Sequence, residues 1–90
     1  MSRLGEADIA AGLRRLSGWT RAGEALARTY RFRDFREAMA FVNRVADLAE
    51  RAGHHPDIAI RYDVVTLTLT THDAGGITAQ DFALAEAIGA

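Results

Sequence analysis

All three histidines of this 90-residue chain fall in one stretch, at His54, His55 and His72. Imidazole is the side chain best suited to take or give a proton near neutral pH, so this concentration points to a site for proton transfer rather than to scattered packing. Two of the histidines are adjacent, in the run Glu50-Arg51-Ala52-Gly53-His54-His55-Pro56, and the carboxylates Glu50 and Asp81 flank the stretch. Pro56 restricts His55 to extended backbone, which helps to fix the direction of its side chain. Three histidines also raise a metal site, because three imidazoles and an open position form one known zinc arrangement. Adjacent histidines diverge in extended chain, however, and neither His-x-His nor His-x-x-x-His spacing occurs. No metal ligand is therefore assigned. Taken singly, each residue has a structural role open to it. His54 would serve at a helix C-terminus, Asp81 as a charge at a helix N-terminus, Glu50 as a solvated helix residue, and Tyr62 as core or pocket wall. Their joint spacing is what favours a site.

The elements that must position these residues can be read from periodicity. Leu4, Ile9, Leu13 and Leu16 recur at helical spacing, giving a first helix near residues 5–16 that Gly18 breaks. Residues 19–22 and 25–33 read as a hairpin turning at Gly23-Glu24, with Leu26, Tyr30 and Phe32 on one face and Arg28 interrupting it. The clearest element runs from Phe35 to Ala52, where Phe35, Ala38, Met39, Val42, Val45, Ala46 and Ala49 form a continuous apolar stripe. Asp34 with Glu37 supplies a capping-box arrangement, and Gly53 suits the left-handed residue after the last turn. The His-His-Pro segment thus begins where a long helix has just ended. Strands follow at 58–62 and 64–71, the second alternating Val65, Leu67 and Leu69 with Thr66, Thr68 and Thr70. After the loop Asp73-Ala74-Gly75-Gly76, Thr78 caps a last helix with Asp81 at its third position. The order α-β-β-α-β-β-α implies an α+β domain, a four-stranded antiparallel sheet with helices on one face. In the second hairpin the start of one arm lies beside the end of the other, so residues 54–55 and 72 can meet at one edge of the sheet.

Composition narrows the class. Half the residues are apolar, about a quarter are charged, and the net charge is −1, as in ordinary globular domains. That balance offers no basic face for nucleic acid. The absence of cysteine excludes disulfide and thiolate chemistry. No apolar run is long enough to span a membrane, and the first residues lack a signal-peptide pattern, so a cytoplasmic setting is expected. A domain this small gains from oligomerisation. The strand 25–33, expected at or near a sheet edge, would pair with its copy across a two-fold axis.

The composite spacing has a family counterpart. An acidic residue, three others, then His-His-Pro; five residues to an aromatic, nine to a histidine and eight to an aspartate: Glu50, His54-His55-Pro56, Tyr62, His72 and Asp81 fill every position. This resembles the signature of the pterin-4a-carbinolamine dehydratases. The likeness extends to Leu16-Ser17-Gly18-Trp19, to Tyr30-Arg31-Phe32-Arg33-Asp34-Phe35 and to Leu69-Thr70-Thr71-His72, and so covers roughly the whole chain. The resemblance implies the same α+β fold and a dehydratase acting on 4a-hydroxytetrahydrobiopterin in tetrahydrobiopterin recycling, linked to an aromatic amino acid hydroxylase. By resemblance His54 and His72 are the acid/base pair, His55 hydrogen-bonds the substrate and holds the 4a-hydroxyl, and Asp81 and Glu50 orient the histidines. No cofactor is required. Thr70, Thr71, Pro56 and Trp19 are candidate substrate-binding residues, although Thr70 and Thr71 serve equally as strand residues and Trp19 as packing. The resemblance further implies a homodimer or a homotetramer. Some relatives double as dimerisation cofactors of a transcription factor, and others are instead associated with enzyme assembly; the intact histidine motif here favours catalysis.

Overall fold

The computed structural model describes residues 2–89. Its elements are α1 (Glu6–Arg15), β1 (Thr20–Ala22), β2 (Ala25–Arg31), α2 (Phe35–Ala52), β3 (Asp57–Arg61), β4 (Val64–Leu69), a 3₁₀ turn (His72–Ala74) and α3 (Ala79–Ile88). This is the α-β-β-α-β-β-α order that periodicity implies. Residue 19 lies just before its strand, β2 ends at Arg31, and β4 ends at Leu69 with a single further bridge from Thr71 to Gly76.

Helix α2 starts and stops for local reasons. The Asp34 carboxylate accepts from the Glu37 N–H at 2.8 Å, satisfying a donor that the first turn leaves free. The Glu37 carboxylate reaches one residue further back than a capping box requires, to the Arg33 N–H at 3.0 Å. At the other end Gly53 turns left-handed at φ 64°. Its N–H donates to the Glu50 carbonyl, and the His54 N–H donates to the Ala49 carbonyl. These two bonds form a Schellman motif, and they fix where the histidine segment leaves the helix.

The sheet order is β1-β2-β4-β3, with every pair antiparallel. Alternation along β4 sends Val65, Leu67 and Leu69 inward, all fully buried, with Leu26 of β2 opposite Leu69. Ala38, Phe41, Val45 and Ala49 of α2 and Leu84, Ala85 and Ile88 of α3 complete the core over that face. Helix α1 adds Ile9. Arg28, which interrupts the inward face of β2, is held there by a bond to the Ser17 carbonyl at 2.8 Å and by its position 4.4 Å over the Tyr30 ring.

One expectation is corrected. The strand at 25–31 is interior, between β1 and β4, and the long exposed edge belongs to β3. The most apolar strand, β4, takes the centre because both its neighbours can then shield it. The crossover through α2 consequently leaves β3 outermost, exposed along its full length.

Candidate active site

Three chain segments bring the histidines together. The Schellman motif releases His54 at the end of α2, and His55 follows in extended backbone before Pro56. The β3–β4 register pairs Asp57 with Thr68, so the residues preceding β3 lie alongside those following β4. On the β4 side the Thr71 N–H donates to the Gly76 carbonyl at 2.9 Å, and the Thr71 carbonyl accepts from Ala74 and Gly75. That small loop, closed through left-handed Gly75, holds His72 at the start of the 3₁₀ turn. All three histidines line one cavity of about 380 Å³ together with Gly53, Thr70, Thr71, Asp73 and Gln80. Its size lies within the range of small-molecule pockets.

Beneath the cavity lies Asp81, in the first turn of α3 and fully buried. Its Oδ1 is 2.5 Å from His54 Nε2. Its Oδ2 accepts from the Thr71 hydroxyl and from the Thr78 N–H, both at 2.9 Å. Burying a carboxylate is costly unless hydrogen bonds replace its water; here both oxygens are engaged, and the helix N-terminus adds a favourable dipole. A carboxylate can only accept, so Nε2 of His54 carries the proton of that contact and Nδ1 is the nitrogen left for a bound molecule. His55 is oriented separately, its Nε2 lying 2.6 Å from Glu50 Oε2 one turn back on α2. That pair is exposed, and so is His72. Among the described residues, no group of three or more His, Cys, Asp or Glu side chains is placed to hold a metal ion.

The remaining candidates are distributed unevenly. Thr70 lines the cavity, but its hydroxyl donates to the Glu24 carbonyl at 2.7 Å and so anchors the β1–β2 turn. Thr71 also reaches the cavity wall, yet its hydroxyl is turned inward to Asp81 and Thr78. Pro56 is half-buried and does not line the cavity. Trp19 does not belong to this site: it is part of the core and faces a separate small cavity with Leu16, Ala85 and Gly89. The reason is topological, since β1 begins at the far side of the sheet order from β3. Tyr62 lies outside the core and outside the histidine cavity, and lines a separate cavity with Arg31, Arg61, Asp63 and Val64. It sits in the β3–β4 turn at φ 54°, 67% exposed, at the opposite end of the hairpin from His54. Gln80 and Asp73 are cavity residues that sequence reasoning did not single out. Their adjacency to Asp81 and His72 was the available signal.

Fold and pocket together define a small α+β domain with a histidine-lined cavity at one end of its second hairpin. Comparison with known proteins makes the assignment specific. The family model for pterin 4 alpha carbinolamine dehydratase matches residues 2–90, and the chain belongs to that family of lyases. A relative from Thermomicrobium roseum, named for the same dehydratase, is 66% identical over 85 residues, spanning 94% of this chain and 91% of the relative. Another, from Chloroflexus aurantiacus, is 57% identical over 88 residues, spanning 98% and 95%. Among solved structures, a transcriptional coactivator/pterin dehydratase from Brucella melitensis superposes with a TM-score of 0.92 at 36% identity, covering 97% of this chain and 95% of that one. A pterin dehydratase-like protein identified as a RuBisCO assembly factor in the alpha-carboxysome gives 0.67 at 25% identity, covering 80% and 86%.

Proposed function

We propose that this protein removes water from 4a-hydroxytetrahydrobiopterin to give quinonoid dihydropterin, by general acid/base catalysis at histidines. The observation that carries this reading is the convergence of His54, His55 and His72 on one cavity, with Asp81 behind His54. In the elimination, a base takes the N5 proton, the freed electron pair forms the C4a=N5 bond, and the C4a–oxygen bond breaks as an acid protonates the departing hydroxyl. Imidazole side chains suit both roles. His54 and His72 are the acid/base pair in this reading. His55, braced by Glu50, holds the 4a-hydroxyl. The chemistry calls for no nucleophile and no redox cofactor. In this reading the protein acts after an aromatic amino acid hydroxylase in tetrahydrobiopterin recycling, in the cytoplasm.

The direct test supplies freshly formed 4a-hydroxytetrahydropterin and follows quinonoid product by stopped-flow absorbance. A rate rising linearly with protein concentration above the spontaneous rate is expected. Dehydration at the spontaneous rate with micromolar protein present would overturn the reading in favour of an interaction or assembly module.

The same proposal includes self-association. An edge strand presents unpaired backbone groups, and β3 adds Ile58 and Ile60, 36% and 39% exposed. Pairing β3 with its copy across a two-fold axis covers both features in a closed dimer, and further pairing through helices makes a tetramer. Light scattering is expected to give at least twice the 9.8 kDa chain mass. A single species at the chain mass, at micromolar concentration, would show that the edge stays open.

A further inference from the structure

The chain just past strand β4 holds an anomaly. The strand's inward positions Val65, Leu67 and Leu69 are apolar and completely buried, and Thr71 continues the same phase at 9% exposure. Valine would fill that volume equally well, and a buried hydroxyl is unfavourable unless its hydrogen bonds are satisfied. The Thr71 hydroxyl lies 2.9 Å from Asp81 Oδ2 and 2.8 Å from the hydroxyl of Thr78, which is itself fully buried. Thr78 Oγ1 in turn accepts from the Gln80 N–H at 3.2 Å.

Proton counting fixes the direction of every bond. Each hydroxyl has one proton to give, and a carboxylate can only accept. The Thr71 proton is therefore committed to Asp81, and Thr78 must donate across the contact between the two hydroxyls. The series runs one way, from the Gln80 N–H through Thr78 and Thr71 to Oδ2, where the Thr78 N–H also arrives. Oδ1 is thereby left to His54. A capping box needs only Thr78 and Asp81. Thr71 adds a tie from that cap to the strand end that carries His72.

We propose that Thr71 and Thr78 are positioning residues, their hydroxyls forming a one-way relay that holds Asp81, and through it the His54 ring, in the arrangement with Nδ1 free toward the cavity. The proposal rests on the dehydratase reading for its kinetic consequence but not for its structural one. Thr71→Val removes the hydroxyl at nearly constant volume, and Thr71→Ser keeps it. In Thr71→Val the dehydration kcat is expected to fall about tenfold, the scale of one hydrogen bond's net contribution, with KM unchanged. Thr71→Ser is expected to stay near wild type. The ring-nitrogen NMR shifts of His54 should report a single Nε2–H form in wild type and in Thr71→Ser, and a mixture of tautomers in Thr71→Val. Unchanged kcat and unchanged His54 shifts in Thr71→Val would overturn the proposal, and so would equal losses in the serine and valine variants. If wild type lacks dehydratase activity the catalytic reading fails by itself, and the His54 shifts still decide whether the relay exists. Thermal unfolding of all three proteins separates a tautomer change from loss of fold.

Discussion

Alanine at both His54 and His72 is expected to bring dehydration down to the spontaneous rate while the fold survives. Each single replacement should lower kcat by about 10²-fold, the lower range for loss of a general acid or base. The double variant should lose less than the product of the two, because groups acting in one elimination are not additive. Stability argues that these are readings of chemistry rather than of collapse. His72 is exposed, in a turn closed by backbone bonds of Thr71 that do not involve its ring. His54 is more deeply set, and its removal takes one donor from Asp81 Oδ1 but leaves both donors on Oδ2 in place. Circular dichroism should therefore show native helix and sheet content in both single variants and in the double. Wild-type kcat in the two single variants would end the assignment of this cavity as the catalytic site.

How much of this was legible beforehand depended on whether the signal was local. The apolar stripe of α2, its Asp34 cap and its Gly53 stop are properties of adjacent residues, and the helix spans Phe35–Ala52 as periodicity implies. The meeting of His54, His55 and His72 followed from hairpin geometry alone, since antiparallel arms place one start beside the other end. Strand order is not local, so the edge was misplaced: nothing within residues 25–33 reveals that β4 inserts next to β2 rather than outside β3. Tyr62 misleads for a different reason. It continues the alternation of Ile58 and Ile60, but the chain turns there at φ 54° and the phase is lost. Trp19 carries no pattern that separates core from cavity. For Thr71 the phase shared with Val65, Leu67 and Leu69 was the available signal that its hydroxyl faces the interior, although the residue also reaches the cavity wall.

Asp81→Asn should reduce kcat by roughly 10²-fold, as removal of His54 itself does, with little change in the unfolding temperature. The carboxamide is nearly the same shape but has one accepting oxygen and one donating nitrogen. Two donors, the Thr71 hydroxyl and the Thr78 N–H, converge on Oδ2, so the amide oxygen must face them. The opposite orientation would set the amide N–H group against both in a buried site, where unmade hydrogen bonds are costly. The amide nitrogen is then left against His54 Nε2, which must accept, and the ring's proton moves to Nδ1. A base whose working nitrogen already carries a proton cannot take one from N5. The acid role suffers too, because a doubly protonated ring would set Nε2–H against the amide N–H. An equivalent aspartate-to-asparagine change in a serine protease triad, which also imposes the wrong tautomer, costs about 10⁴-fold; the smaller loss expected here reflects His72, which is untouched. Steady-state kinetics, thermal unfolding and the ring-nitrogen shifts of His54 would be measured together. A variant with native unfolding temperature, an inverted His54 tautomer and undiminished kcat would show that His54 does not transfer the proton, and the acid/base pair would have to be sought in His55 and His72.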